Sequence, residues 1–468
     1  MKIVRPLLVV TAVCSALAGG WYLWVHRTVG PEEIDSIDPV VLESVFEITS
    51  DAPHHTKTNV VLAIVCTLRK DRLEPYGMHL PTSPFLDRLS KEGVKLNNHI
   101  TQAPWTRPSM GSLLTSRWPR ALQLDNPGPK GSLELVLRPE HTTIAEYMQN
   151  SGYTTIGSTG NPNLKTQFGL AQGLERSWEP DSTYDETTVL VDGHEQVDFL
   201  VDELDEISNT KPAFIQLVLT DTHQPRQVEP RYLQLFDKGR KKAGRRARYD
   251  ASVRKVDAVL ARLFTEVMTR RPDTLFIIAT DHGEGLRHPK HHGAGHGNHL
   301  YSTHIFSPSI WYHPSFAPME IDGLTMNLDV VPTILGLIGA TVDPVMEGKD
   351  LSAVMNGSEK WEGHEFVFSE TFYGRSKKAT VLSKDFQFIR RKRNKKKPKI
   401  LETLHTRDDV FAEEDILEAA VPEGEVMRSA LNQWEIEMSA LWDAAGTPTK
   451  TEISGALLEQ LKAIGYVE

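Results

Sequence analysis

A mixed α/β fold, with a mostly parallel central sheet, helices on both faces and a smaller C-terminal α+β subdomain, is predicted by three features of the chain. Four short apolar runs each lead into a polar loop, the arrangement of buried parallel strands whose ends carry chemistry. The 468 residues, 40% of them hydrophobic, are enough to bury a large core around such a sheet. Beyond residue 357 the pattern changes to strand-like segments followed by helical ones. The net charge of −10 argues against a general nucleic-acid binder, so no nucleic acid is expected as a partner.

From the amino end, Lys2 and Arg5 precede an apolar segment at residues 6–25, about the length that spans a bilayer, and acidic residues begin at Glu32. That charge order puts the amino terminus in the cytoplasm and the body outside. Residues 1–30 are therefore expected to anchor the protein in a membrane, with the body periplasmic or at the cell surface. Ala16, Leu17 and Ala18 also form a passable cleavage signal, and removal there would leave a secreted protein. Residues 31–57, polar and carrying Pro31, Pro39 and Pro53, suit a tether. The main domain is expected over 58–357 and the subdomain over 358–468. With Cys14 inside the apolar segment, Cys66 has no evident disulfide partner, which favours burial or metal ligation.

The first apolar run, NVVLAIVC at 59–66, ends in a potential ligand, Cys66. A weaker one at 153–156 leads into GSTGNPN, which has the composition of a loop and contains Asn161. The third, FIQLVL at 214–219, precedes Thr220, Asp221, Thr222 and His223. The fourth, FIIA at 276–279, delivers Asp281 and His282 and then a histidine-dense loop. A carboxylate and an imidazole just past a strand end suit a divalent cation; the ordinary alternative for Asp281 is a turn ahead of Gly283. In PWTRPSMGSLLTS, residues 104–116, Thr106 and Pro108 precede the helix-like stretch 109–114. One reading makes Thr106 the N-cap of that helix. The other places a phosphate or sulfate group at the positive helix end, beside the Thr106 hydroxyl.

In this order the segments resemble the sulfatase family of the alkaline phosphatase superfamily. Residues 59–77 look like the family's opening strand and loop, 104–116 its nucleophile segment, and ATDHGEG with GHGNHLY its metal loop and the histidine after it. The likeness continues through 249–264, 328–340 and EQLKAIGYV near the end. It implies a metal-dependent hydrolase or transferase acting on an anionic phosphate or sulfate ester, with one divalent ion (Zn, Mn, Mg or Ca). The implied ligands are Asp281, His282 and, where the family carries Asp, Cys66. A thiolate there favours zinc or manganese over the oxygen-seeking ions, and a small buried apolar residue is the other reading of Cys66.

Thr106 stands where active sulfatases carry the Cys or Ser that matures to formylglycine, and oxidation of a secondary alcohol gives no aldehyde. Relatives acting on phosphate esters use an unmodified Thr, so Thr106 is expected to attack directly through a transient phosphothreonine. His223 and His296 resemble the histidines that contact the ester and protonate the leaving oxygen. Met110 replaces the motif's Arg, which leaves Arg69 and Arg107 to supply positive charge and Asn161 as a further substrate contact. The remaining histidines, His288, His291, His292, His299 and His304, are expected to be mostly loop residues. The Asp lost at position 66 also fits a non-catalytic member that binds an anionic ligand. Two basic tracts, 238–248 and 390–399, read as solvated faces or hairpin tips, or else as contacts to an anionic surface.

Overall fold

The four apolar runs become neighbouring strands of one sheet. The computed structural model describes residue 46 and residues 57–125, 134–179, 191–208, 210–237, 244–287, 294–373, 376–393 and 399–464. The expected anchor and most of the expected tether lie outside these residues, as do His288, His291 and His292 and parts of both basic tracts. Among the described residues no helix is long and apolar enough to cross a membrane.

The strands are β1 (Asn59–Val65), β2 (Val94–Ile100), β3 (Thr154–Thr159), β4 (Arg176–Trp178), β5 (Ala213–Leu219), β6 (Thr274–Thr280), β7 (Gly285–Leu286), β8 (Ala294–Gly295), β9 (Phe306–Tyr312), β10 (Met319–Ile321) and β11 (Thr325–Met326). Nine of them form a sheet in the order β10-β2-β9-β6-β1-β5-β3-β4, with β11 also paired to β2. β9 runs antiparallel to β2 and β6, and the other pairings are parallel. β7 and β8 make a separate two-stranded ribbon.

All seven residues of β1, β5 and β6 are buried, which is why these stretches are apolar without alternation. Helices cover both faces: α1 (Pro84–Glu92), α2 (Thr106–Thr115), α3 (Ile144–Asn150), α4 (Gly193–Glu206), α5 (Arg245–Arg270) and α6 (Val330–Leu337). Val60, Leu62 and Ile64 pack with Met110, Leu113 and Leu114 of α2 and Ile334 of α6. Val61, Ala63 and Val65 pack with Phe85 of α1, Val197 of α4 and Phe264 of α5. Each such side chain contributes about 1.5–3 kcal/mol on burial, so the two layers hold the sheet edge rigid beneath the loops.

The subdomain is a four-stranded antiparallel sheet, β12 (Val367–Thr371), β13 (Ser376–Leu382), β14 (Phe386–Arg393) and β15 (Lys399–Thr406), backed by α7 (Val421–Ala444). Residues 380–389 hold the hairpin that joins β13 to β14: the Ser383 hydroxyl accepts the Phe386 N–H at 3.2 Å and turns the chain. The helix begins only at Val421, because Asp415 accepts the N–H groups of Leu404 and Leu417 and Ile416 bonds to Leu404, pinning the preceding segment to β15. The second basic tract lies at the facing ends of β14 and β15, where Arg393 is opposite Lys399. The last described helix, α8 (Gly455–Ala463), is capped by Ser454 and packs Leu457 and Leu461 against Trp105, directly before α2.

Candidate active site

β1 sits between β5 and β6, with β3 beyond β5, so the chain leaving these four strands reaches a common crevice at their carboxyl ends. Cys66 follows β1, Asn161 follows β3, His223 follows β5, and Asp281 with His282 follows β6. α2 enters the same crevice from above with Thr106 as its first residue. The N-cap is Trp105, and its side chain makes no capping bond. The N-cap reading of Thr106 is thereby corrected, and its fully buried hydroxyl faces the loop after β6.

Thr106 Oγ1 is 3.3 Å from His282 Nε2, and Asp281 Oδ2 is also 3.3 Å from that nitrogen. His282 Nδ1 donates to the Gly283 carbonyl at 2.8 Å, since a carbonyl can only accept. This places the lone pair on Nε2, facing the threonine and the aspartate. Asp281 Oδ1 accepts the backbone N–H groups of Thr67 at 3.0 Å and His282 at 2.7 Å. Asp281 Oδ2 is buried without a hydrogen-bond partner among the described residues. Thr67 reaches Asp281 through a left-handed backbone, φ 58°, an uncommon conformation for a β-branched residue that aims its N–H at the carboxylate. The Ser109 hydroxyl donates to the Asp281 carbonyl and ties the first turn of α2 to the loop.

Cys66 is fully buried against this carboxylate, and Asn161 Nδ2 donates to its sulfur at 3.3 Å. Burial, followed by the charge of Asp281, pushes the thiol well above its ordinary range. The His223 and His296 rings lie with centroids 4.9 Å apart, and His296 is 4.7 Å from His282. Burial pushes His223 down to about 4 and His296 well below its usual value, with the neighbouring imidazoles adding to both.

Five of the expected positions (Thr106, Asp281, His282, His223 and His296) and the Cys66–Asn161 pair thus gather at one strand edge. The two arginines are engaged elsewhere. Arg69 forks onto Asp71 at 2.8 and 2.7 Å and donates to the Glu284 carbonyl at 3.0 Å. The same fork commits Asp71, five residues past Cys66, to Arg69. Arg107 is fully buried, stacks on Phe168 at 4.0 Å and donates to Asn163 Oδ1 at 2.9 Å. Sequence reading missed Ser109, Thr67 and the buried Arg226–Glu284 pair, with Gln224 donating to Glu284 at 2.9 Å. Only the three-dimensional contact reveals them, because none stands in a pattern of its own.

Two donors held about 2.0–2.1 Å from one tetrahedral ion lie roughly 3.4 Å apart. The 3.3 Å separations around His282 Nε2, and the unpartnered Asp281 Oδ2, fit that spacing. Among the described residues, however, no group of three His, Cys, Asp or Glu side chains stands ready to hold a metal. Asp281 and His282 fit as two donors, with the Thr106 oxygen and the Cys66 thiol beside them.

Residues 58–340 match the protein family described as Sulfatase. Rat steryl-sulfatase is 33% identical over 102 residues, 21% of this chain and only 18% of that protein. Bovine arylsulfatase A is 22% identical over 364 residues, 67% of this chain and 71% of its own. Among solved structures, the phosphonate monoester hydrolase of Agrobacterium radiobacter superposes with a TM-score of 0.66 at 16% identity, covering 82% of this chain and 96% of its own. A protein solved in complex with its substrate D-glucosamine-2-N,6-O-disulfate gives 0.67 at 13% identity, covering 82% and 99%. At these identities the superpositions speak for the fold, an α/β sulfatase architecture with a small antiparallel subdomain.

Proposed function

Because the chain belongs to the sulfatase family, we propose that it hydrolyses a phosphate or sulfate ester, or transfers its acid group, with Thr106 as nucleophile. The observation that carries this reading is the meeting of Thr106 Oγ1, His282 Nε2 and Asp281 Oδ2 at 3.3 Å contacts in a buried crevice. The Thr106 oxygen bonds to phosphorus or sulfur opposite the ester oxygen and gives up its proton to water in the crevice. The ester bond breaks, and the departing oxygen takes up a proton from water, relayed through the neutral His296 ring with His223 against it. Water then cleaves the threonine ester and restores the hydroxyl; an acceptor alcohol in place of water makes the reaction a transfer.

A divalent ion bound by Asp281 and His282, with Cys66 against the same carboxylate, would supply Lewis acidity to the hydroxyl and the ester. A thiol in the set favours zinc over the oxygen-seeking manganese, magnesium and calcium. Asn161 holds Cys66 in place, while Arg69 and Arg107 contribute positive field from the flanks. A membrane-anchored position outside the cytoplasm, through residues 1–30, belongs to the same proposal. The names of the structural neighbours span a phosphonate ester and a sulfated sugar, so both acid groups stay in the substrate class.

A panel of phosphate and sulfate monoesters tests the reading. Thr106→Ala should lower turnover roughly 10³-fold or more while Thr106→Ser retains part of it. Full activity in Thr106→Ala would remove Thr106 as nucleophile. The second reading, a non-catalytic binder of an anionic ligand, is favoured by Cys66 standing where the family has Asp. No turnover on the panel, together with no stoichiometric ion in the purified protein, would establish it.

A further inference from the structure

Between the subdomain sheet and α7 lies a cavity of about 170 Å³ lined by Arg120, Lys377, Lys378, Arg390, Lys392, Glu370, Glu435 and Phe372. One water occupies about 30 Å³, so a tetrahedral oxyanion fits with room for water. The carboxylates are already committed. Glu370 forks onto Arg120 at 2.7 and 2.7 Å, and Glu435 bridges Arg390 at 2.8 Å and Lys392 at 2.9 Å. Four cationic side chains, Arg120, Lys377, Arg390 and Lys392, face two carboxylates across the cavity, and Arg390 is also held by Glu402 at 2.8 Å; Lys378, the next residue of β13, turns its side chain to the opposite face of the sheet. Lys377 and Lys378 make no ion pair among the described residues. Lys378 donates only to the Asn298 carbonyl, and Lys377 lies 5.2 Å from the centre of the Phe372 ring.

The register sharpens this. Lys377 stands directly opposite Lys392 across β13 and β14, a like-charge pair that destabilises a sheet unless something neutralises it. Burial, then the nearby Arg120 and Lys392, lowers Lys377 below the usual lysine range, and burial, then Arg391, lowers Lys378 to about 8. An anion seated beside Lys377 and Lys392 offsets their mutual repulsion and the burial of the Lys377 charge.

Hydrogen bonds tie the cavity's lining strand to the segments that carry the candidate active site. The Glu370 N–H donates to the Gln102 carbonyl, and the Phe372 N–H shares Asp125 Oδ2 with the Trp105 indole, one residue before Thr106. Thr371 Oγ1 donates at 2.7 Å to the carbonyl of Gly297, which follows His296. We propose that this cavity is an anion subsite that takes a second phosphate, sulfate or carboxylate group of the same molecule whose ester lies at Thr106, which makes the substrate a polyanion. The assignment to the substrate rests on the function proposed above; the assignment as an anion site does not.

Calorimetric titration of the full chain with inorganic pyrophosphate at low ionic strength tests the subsite without calling on turnover. Lys377→Gln is the informative variant because it leaves no carboxylate stranded, and Lys377→Arg is its charge-conserving control. Binding should be at least tenfold weaker in Lys377→Gln, retained in Lys377→Arg, and unchanged in Thr106→Ala. Equal affinity in the wild type and Lys377→Gln, or no binding by the wild type, overturns the subsite. A second arm compares an aryl phosphate with one bearing an additional carboxylate. Lys377→Gln should raise KM at least tenfold for the doubly anionic ester alone, with kcat unchanged. Lost pyrophosphate binding with both KM values intact overturns the substrate assignment and makes the occupant a free anion. If the wild type turns over neither ester, the proposed function fails while the calorimetry still decides the subsite.

Discussion

Cys66→Asp restores the carboxylate that the family carries at this strand end, and the structure gives the size of the response. The Cys66 sulfur lies in contact with the Asp281 carboxylate, whose Oδ2 is buried without a hydrogen-bond partner among the described residues. Two carboxylates about 4 Å apart at an effective dielectric near 20 repel by about 4 kcal/mol. In chelator at neutral pH, Cys66→Asp should therefore unfold in urea with a stability lower by about that amount. The sign of its pH dependence follows. A carboxyl forced against another is raised above its unfolded value, so the protonated pair is tolerated in acid and the deficit grows as pH rises through the folded pKa. Adding manganese or zinc at about 100 times its Kd should return about 2.7 kcal/mol. If Cys66→Asp in chelator matches the wild type throughout this pH range, the two side chains do not face one another and the proposed metal set is wrong.

Three further outcomes follow from the same geometry. His99 is fully buried between Thr325 Oγ1 at 2.9 Å and Asn327 Oδ1 at 2.8 Å, and burial lowers it to about 4. Its neutral form supports the fold fully above the unfolded value near 6.5, and that support is lost as pH falls toward 4. His99→Gln should therefore flatten the acid limb of a urea-stability profile by about 3 kcal/mol, and an unchanged limb would sink the assignment. Gly283→Ala would put a methyl 2.1 Å from the Thr303 carbonyl oxygen, so the loop must move; a loss of about 1–3 kcal/mol with displaced Asp281–His282 chemistry is expected, and wild-type stability and turnover would refute it. Asp71→Asn strands the Arg69 guanidinium, whose side chain is 6% exposed against 31% for Asp71. After discounting for that exposure the expected loss is about 2–3 kcal/mol by urea denaturation, and no loss would mean that Arg69 finds another anion.

The parts of the fold written most plainly in the sequence are β1, β5 and β6, where both faces are buried and the apolar run is continuous. β9 was hidden by Pro308, which argues against an interior strand. The structure accommodates it with a bulge in β2 between Leu96 and His99, which skips the position opposite Pro308. GSTGNPN has the composition of a loop, yet β3 extends through Thr159 because Gly157 allows Leu174 to pack where a Cβ would sit 2.4 Å away. Within the site, the ligand-like residues past each strand were legible because strand ends converge. The positions of Arg69, Asp71 and Arg107 were not, since an ion pair or a stacking partner far along the chain decides where a long side chain goes. The basic cavity was foreshadowed only by the tract at 390–399, whose Arg390 and Lys392 are placed on one face beside Lys377 once the strand register is known.

Whether a covalent bond forms at Thr106 is the most direct question. Rapid acid quench of the full chain during turnover of a phosphate or sulfate ester, followed by peptide mass spectrometry, reads it. The account predicts a phosphoryl or sulfuryl group on the peptide holding Thr106, absent in Thr106→Ala. Steady turnover with that peptide unmodified at every quench time, or the group found on another residue, would contradict it.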